Sequence, residues 1–125
     1  MRESSSRGVS IIIPTYNERQ NISILIPTIA SLIQGKYPYE IIVVDDDSPD
    51  GTWLEAKKYE KIFNVVVVRR IGKRGLSSAI LEGIARAKYE EVIVMDADLQ
   101  HPPEVIMGIY DGLKKADIVV ASRYT

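Results

Sequence analysis

Residues 91–106 read EVIVMDADLQHPPEVI, and the change of character halfway along this stretch decides the fold. Its first five residues are apolar apart from Glu91 and rich in β-branched side chains, as suits a strand buried on both faces of a parallel sheet. At Asp96 the pattern breaks. Asp96, Asp98 and Gln100 follow at every second position, and in an extended backbone such residues share one face. Pro102 and Pro103 then open a run with helical spacing, proline being suited to a first helical turn. A strand, a polar exit and a helix in that order form the repeating unit of an α/β protein.

The unit recurs on either side. Short apolar runs at 9–13, 40–44, 64–69, 91–95 and 117–121 are each about strand length. Between them, apolar residues return at three- and four-residue steps: Ile22, Leu25, Ile26, Ile29, Leu32 and Ile33 in 20–33, and Trp53, Ala56, Tyr59 and Ile62 in 52–62. Leu76, Ala79, Ile80, Gly83, Ile84 and Ala87 repeat the pattern in 76–88, as do Val105, Ile106, Ile109, Tyr110 and Leu113 in 103–115. This spacing marks amphipathic helices. The alternation predicts an α/β fold: a mostly parallel sheet with helices on both faces, joined by right-handed crossovers. Such sheets bind ligands where the strands end, near a switch in strand order.

Composition narrows the field. The chain has 125 residues, 46% hydrophobic and 26% charged, with a net charge of −1, which fits one globular domain and argues against a basic nucleic-acid surface. It has no cysteine, so disulfides, thiolate ligands and a thiol nucleophile are excluded. No apolar run reaches the roughly 18 residues that span a bilayer. Residues 1–8, MRESSSRG, lack the apolar core of a signal peptide and are expected to form a flexible arm before a domain over 9–125.

Function is then sought at the strand exits. In DDDSPDGT, 45–52, adjacent carboxylates repel one another unless a cation or donors compensate. Ser48 and Thr52 suit caps of the next helix, but Asp45 and Asp46 sit at the strand end itself, where they suit a ligand such as a nucleobase or ribose. In DADLQ, the oxygens of Asp96, Asp98 and Gln100 are hard donors for Mg²⁺ or Mn²⁺. The plainer alternative is that Asp98 or Gln100 only leads into the helix, and His101, the one histidine, is read as a loop residue. In IGKRGLSS, 71–78, Lys73 and Arg74 stand before a helix N-terminus, a setting that suits phosphate or a solvated basic turn. It is neither a Walker P-loop nor G-x-G-x-x-G. In PTYNE, 14–18, Tyr16 offers an aromatic face, with Asn17 alternatively a cap and Glu18 a first-turn residue.

Taken in order, VSIIIPTYNE, IIVVDDDSPDGT, GKRGLSSAI, VMDADLQHPPE and ASRY resemble the family 2 glycosyltransferases of the GT-A fold. Within that family they look most like the polyprenyl- (dolichol-) phosphate mannosyltransferases. The resemblance implies a Rossmann-like nucleotide-binding half. It implies that Pro14, Tyr16 and Glu18 hold the donor nucleotide, that Asp46 meets its base or ribose (Asp45 or Asp47 being less favoured), and that Lys73 lies near it. Asp96 and Asp98 become the D-x-D motif, Gln100 a further metal contact, and Arg123 a group facing the acceptor phosphate. Asp98 and Arg123 are thus the catalytic candidates. A GDP-sugar donor, a lipid phosphate acceptor, a divalent ion and inversion by direct displacement follow from the same resemblance, as does work in the cytoplasm or at the cytoplasmic face of a membrane, contacted through the acceptor or a further C-terminal region.

Members of that family continue beyond the point where this chain stops, so truncation at Thr125 is expected. Two other readings compete. One is a sugar-nucleotide-binding module that is silent by itself. The other is a receiver-type signalling domain, which wants acidic residues after the first strand and an aspartate after the third. Here those exits are PTYNE and RIGKRG.

Overall fold

The computed structural model describes residues 7–98, 102–113 and 118–121. Five strands, β1 (Val9–Thr15), β2 (Tyr39–Asp45), β3 (Val65–Arg69), β4 (Glu91–Met95) and β5 (Ile118–Ala121), alternate with α1 (Arg19–Ile33), α2 (Thr52–Lys57), α3 (Leu76–Arg86) and α4 (Pro103–Gly112). The sheet order is β3-β2-β1-β4-β5, and all four pairings are parallel. This is the expected α/β sheet with helices on both faces. The chain winds from β1 out to β3, then returns to lay β4 on the other flank of β1. The switch of strand order therefore falls between β1 and β4, where a crevice opens at the strand ends.

Both sheet faces are apolar at the centre, where β1, β2 and β4 are covered on each side. Ile11, Ile13, Ile41, Val43, Ile93 and Met95 meet α1, α2 and α4 in one cluster. Ile12, Ile42, Val44, Val68, Val92 and Val94 meet α3 in the other. The α3 backbone presses close: a Cβ built on Gly83 would lie 2.6 Å from Cγ2 of Ile12. Only a residue without a side chain fits that approach.

Three expectations are corrected. The helix expected over 52–62 ends at Lys57, and the chain continues in tight turns with bonds such as Tyr59 N–H to Ala56 O at 3.0 Å. Ile62 is consequently 64% exposed, while Tyr59 and Phe63 still pack on the core. Not all crossovers share one hand. The α4 crossover runs along the sheet opposite to those of α1 and α2 yet packs on their face, so its hand differs from theirs. Side-chain packing holds it there: Tyr110 is fully buried and its hydroxyl donates to Glu91 Oε1 at 2.6 Å. Finally, the arm is not loose as far as residue 8. Arg7 donates to Glu91 Oε1 and to Leu113 O, both at 2.7 Å, and its guanidinium lies 4.0 Å from the Tyr110 ring centroid.

Candidate functional site

The site grows from the exits of β1 and β2. Asp45 is fully buried. It accepts from the Thr15 hydroxyl at 2.6 Å, from Ser48 Oγ at 2.6 Å and from Ser48 N–H at 2.9 Å. It therefore ties the two strand ends together. Ser48 and Thr52, expected to cap α2, reach across instead. Ser48 Oγ accepts from Asn17 N–H at 2.9 Å, and Thr52 Oγ1 accepts from Glu18 N–H at 3.0 Å. Asp50 Oδ2 completes the set by accepting from Arg19 N–H at 3.2 Å. The loop before α2 thus satisfies amides at the start of α1, whose N-cap residue, Glu18, makes no side-chain cap of its own. Asn17, the other expected cap, takes a positive φ of 54°, a conformation Asn tolerates.

Burial pushes the Asp50 carboxyl up, but hydrogen bonds from the Thr52 hydroxyl and the amides of Arg19 and Thr52 outweigh it, with the Arg19 charge adding to them. The net effect holds Asp50 below the usual carboxylate range. Because the folded value is depressed, its stabilisation is present above the unfolded value and is lost as pH falls through the folded one. Asp50→Ala is expected to cost about 1 kcal/mol at neutral pH and almost nothing once the parent carboxyl is protonated. Thermal melts across the acid range check this, and an equal cost at every pH would contradict it.

The three consecutive aspartates coexist because each has its own partners. Asp47, at φ 55°, accepts from Arg69 Nε at 2.8 Å on the outer edge. Asp46 turns towards the crevice and pairs with Arg70: Nε donates to Oδ1 at 2.7 Å and Nη2 to Oδ2 at 3.1 Å. The side chains are 7% and 4% exposed. Hydrogen bonding to Asp46 raises the Arg70 pKa against the opposing effect of burial. Gly75 N–H donates to Asp46 Oδ2 at 2.9 Å, and Gly75 O accepts from Arg70 at 3.1 Å. At φ 137°, Gly75 occupies backbone space that other residues avoid. The clamp fixes the β3–α3 loop where α3 begins.

Between these exits lies a cleft of about 370 Å³. Pro14, Tyr16 and Glu18 line it from β1, and Asp46 from β2. Arg74 and Leu76 form the wall contributed by the β3–α3 loop and α3, and Asp96 and Asp98 the wall beyond β4. The Arg74 guanidinium lies 3.8 Å from the Tyr16 ring centroid, a cation–π contact. The cleft thus combines carboxylates from three strand exits with a cation and a helix N-terminus. That arrangement suits a ligand with an aromatic base and phosphates.

Six residues singled out from the sequence, Pro14, Tyr16, Glu18, Asp46, Asp96 and Asp98, come together here. Lys73 does not. It lines an adjoining open depression with Arg70, Arg74 and Leu81, while Arg74 takes the place in the cleft. Of the less favoured pair, Asp45 is buried against β1 and Asp47 faces Arg69. Gln100, His101 and Arg123 lie outside the described residues. Sequence reasoning missed Arg70 and the Tyr16–Arg74 contact. The available signal was that neighbouring residues on a strand point oppositely, so Arg69 and Arg70 could not share a role.

Among the described residues no group of three or more His, Cys, Asp or Glu is arranged to hold a metal. Asp96 and Asp98 supply two hard carboxylates, both with interactions in the fold. Two carboxylates facing a phosphate-sized cleft fit Mg²⁺ or Mn²⁺, which keep waters and share their coordination with substrate phosphates.

Residues 10–125 match the model for glycosyl transferase family 2. Over 117 residues the chain is 50% identical to the dolichol-phosphate mannosyltransferase of Pyrococcus furiosus, covering 93% of this chain and 33% of that protein. The mannosyltransferase PcManGT from Pyrobaculum calidifontis, solved in complex with GDP-Man and Mn²⁺, superposes with a TM-score of 0.66 at 26% identity, covering 83% of this chain and 31% of that one. Glucosyl-3-phosphoglycerate synthase from Mycobacterium tuberculosis, in complex with Mn²⁺, uridine-diphosphate and glucosyl-3-phosphoglycerate, also gives 0.66 at 26% identity, over 82% and 37% of the two chains. The chain spans 33–44% of the length of the curated relatives it matches.

Proposed function

We propose, from the premise that the chain belongs to glycosyl transferase family 2, that it is the donor-binding portion of an enzyme moving mannose from GDP-mannose to a polyprenyl (dolichyl) phosphate. One observation carries the reading. Four exits of a single parallel sheet bring an aromatic face, a buried Asp–Arg pair, a phosphate-compatible helix start and two hard carboxylates around one cleft.

In this reading the base rests against Tyr16, with Arg74 moving from the ring to the base or the diphosphate. Asp46 shapes the base and ribose edge of the cleft, held in place by Arg70 and the Gly75 amide. Asp96 and Asp98 would hold Mg²⁺ or Mn²⁺, with Gln100 as a further contact. The bound ion would neutralise charge on the leaving diphosphate. The acceptor phosphate, with a second pKa of about 6, is an anionic nucleophile at neutral pH. A side-chain base is then dispensable, and Arg123 is assigned to orienting the acceptor. Displacement from the face opposite the diphosphate inverts the sugar carbon.

Titration calorimetry with GDP-mannose, UDP-glucose and GDP, each with Mn²⁺ and with EDTA, tests the reading. Metal-dependent binding that favours GDP-mannose is expected. Preference for the uridine donor would move the protein to another branch of the family, and the structure from Mycobacterium tuberculosis shows that this fold also takes uridine-diphosphate. The chain's short span of its relatives favours a second reading, a module that binds donor while transfer needs further polypeptide. Donor binding without turnover by this chain would select it. Among the described residues no helix is long and apolar enough to cross a membrane. The cytoplasmic face of a membrane is the proposed place of work, where a nucleotide-sugar and a lipid phosphate meet.

A further inference from the structure

We infer that the surface made by β3, the β3–α3 loop and the outer side of α3 docks on an anionic lipid bilayer, holding the mouth of the donor cleft at the membrane. The inference rests on the lipid-phosphate reading above and names the surface that serves it.

Apolar exposure is concentrated there. Among the described residues, Val66, Ile71, Leu76 and Leu81 are 42%, 67%, 47% and 66% exposed, all within one short segment. The charge of the same region is also distinct. Residues 66–86 hold five of the 16 basic side chains and one of the 17 acidic ones, so the remainder of this near-neutral chain is acidic. Arg69, Arg70 and Arg86 are paired with Asp47, Asp46 and Glu82, and Arg70 is buried. The charge this surface offers to a lipid phosphate therefore rests on the exposed Lys73 and Arg74. Lys73 and Arg74 line the open depression beside Leu81. Ile71 stands before Gly72, at φ 77°, in a turn that carries its side chain outward. Among the described helices α3 alone covers its face of the sheet, and no described element covers its outer side.

Exposed aliphatic side chains flanked by lysine and arginine are what an anionic bilayer surface binds, the apolar groups entering the headgroup boundary and the cations meeting lipid phosphates. Another exposed stripe, Val105 and Ile109 on α4 with Leu113 just after it, has Glu104 and Asp111 set against Lys36 and, next in sequence, Lys114 and Lys115. It lacks the one-signed basic character of the first. Geometry favours the first as well. Arg74 and Leu76 belong both to this surface and to the cleft wall. Docking there brings the cleft to the plane in which a polyprenyl phosphate presents its headgroup.

Flotation of the 125-residue chain with phosphatidylcholine vesicles, and with mixed phosphatidylcholine–phosphatidylglycerol vesicles, tests the inference, alongside GDP-mannose calorimetry. Binding to the anionic vesicles alone is expected, weakening as salt rises. The double variant Ile71→Ser/Leu81→Ser is expected to bind them about tenfold or more weakly, with unchanged melting and unchanged donor affinity, since neither side chain lines the cleft. A chain that binds donor but ignores anionic vesicles, or a double variant that floats like the parent, overturns the docking surface and spares the donor reading. Flotation without GDP-mannose binding does the reverse. Self-association abolished by the double variant, with no flotation, would assign the surface to a second copy and overturn the inference.

Discussion

Arg70→Ala is expected to cost about 3–5 kcal/mol of stability because it leaves a buried carboxylate without its partner. Asp46 and Arg70 are 8% and 5% exposed, so water cannot replace the lost guanidinium without opening the loop. A domain of this size should then melt roughly 10–20 °C lower. The clamp also places Gly75 and hence the wall that carries Arg74. Donor affinity should fall even at temperatures where the variant stays folded. Removing both charges, as Arg70→Met with Asp46→Leu, should recover part of the stability, since an apolar pair carries no desolvation cost. Donor affinity should not return with it. Thermal melts and calorimetry on the two single variants and the double separate these effects. An Arg70→Ala protein that melts with the parent would show that Asp46 is not held as an isolated buried pair in solution.

Asp98→Ala is expected to act in the opposite way, leaving the melt close to the parent and removing metal-dependent donor binding. Asp98 belongs to an exit loop and contributes little apolar burial, so its stability effect should stay within about 0.5–1 kcal/mol. Loss of a ligand carboxylate should cost at least the ~10–100-fold in affinity that loss of a supporting partner costs a metal site. The check is the difference between titrations with Mn²⁺ and with EDTA. In the parent that difference is expected to be large, and in Asp98→Ala it should vanish. Equal donor affinity in the two proteins would remove Asp98 from the proposed metal site. Asp96→Ala serves as the parallel case.

The contrast between these variants shows what the acidic residues have in common and where they part. In the sequence Asp45, Asp46, Asp47, Asp96 and Asp98 are alike: carboxylates at strand exits. In the fold Asp45 is a brace between β1 and β2, Asp46 an anchor for a distant loop, and Asp47 an edge partner of Arg69. Asp96 and Asp98 face the cleft. Likewise, nothing in GKRG says which cation turns inward. Arg74 does, because Gly75 is pinned to Asp46 next to it.

The sequence by itself determined the order of strands and helices and the parallel sheet, and it pointed to the strand exits as the candidate site. Those properties follow from local periodicity, since a strand buried on both faces and a helix with one apolar stripe write their patterns within a few residues. Only the tertiary structure decided the early end of α2, the face chosen by α4, the anchoring of Arg7 and the roles of the separate carboxylates and cations. All but the first rest on partners far apart in the chain. Arg70 meets Asp46 across 24 positions and Arg7 meets Glu91 across 84. A buried charge goes wherever its counter-charge and hydrogen-bond donors are brought by folding, and no local pattern encodes that address.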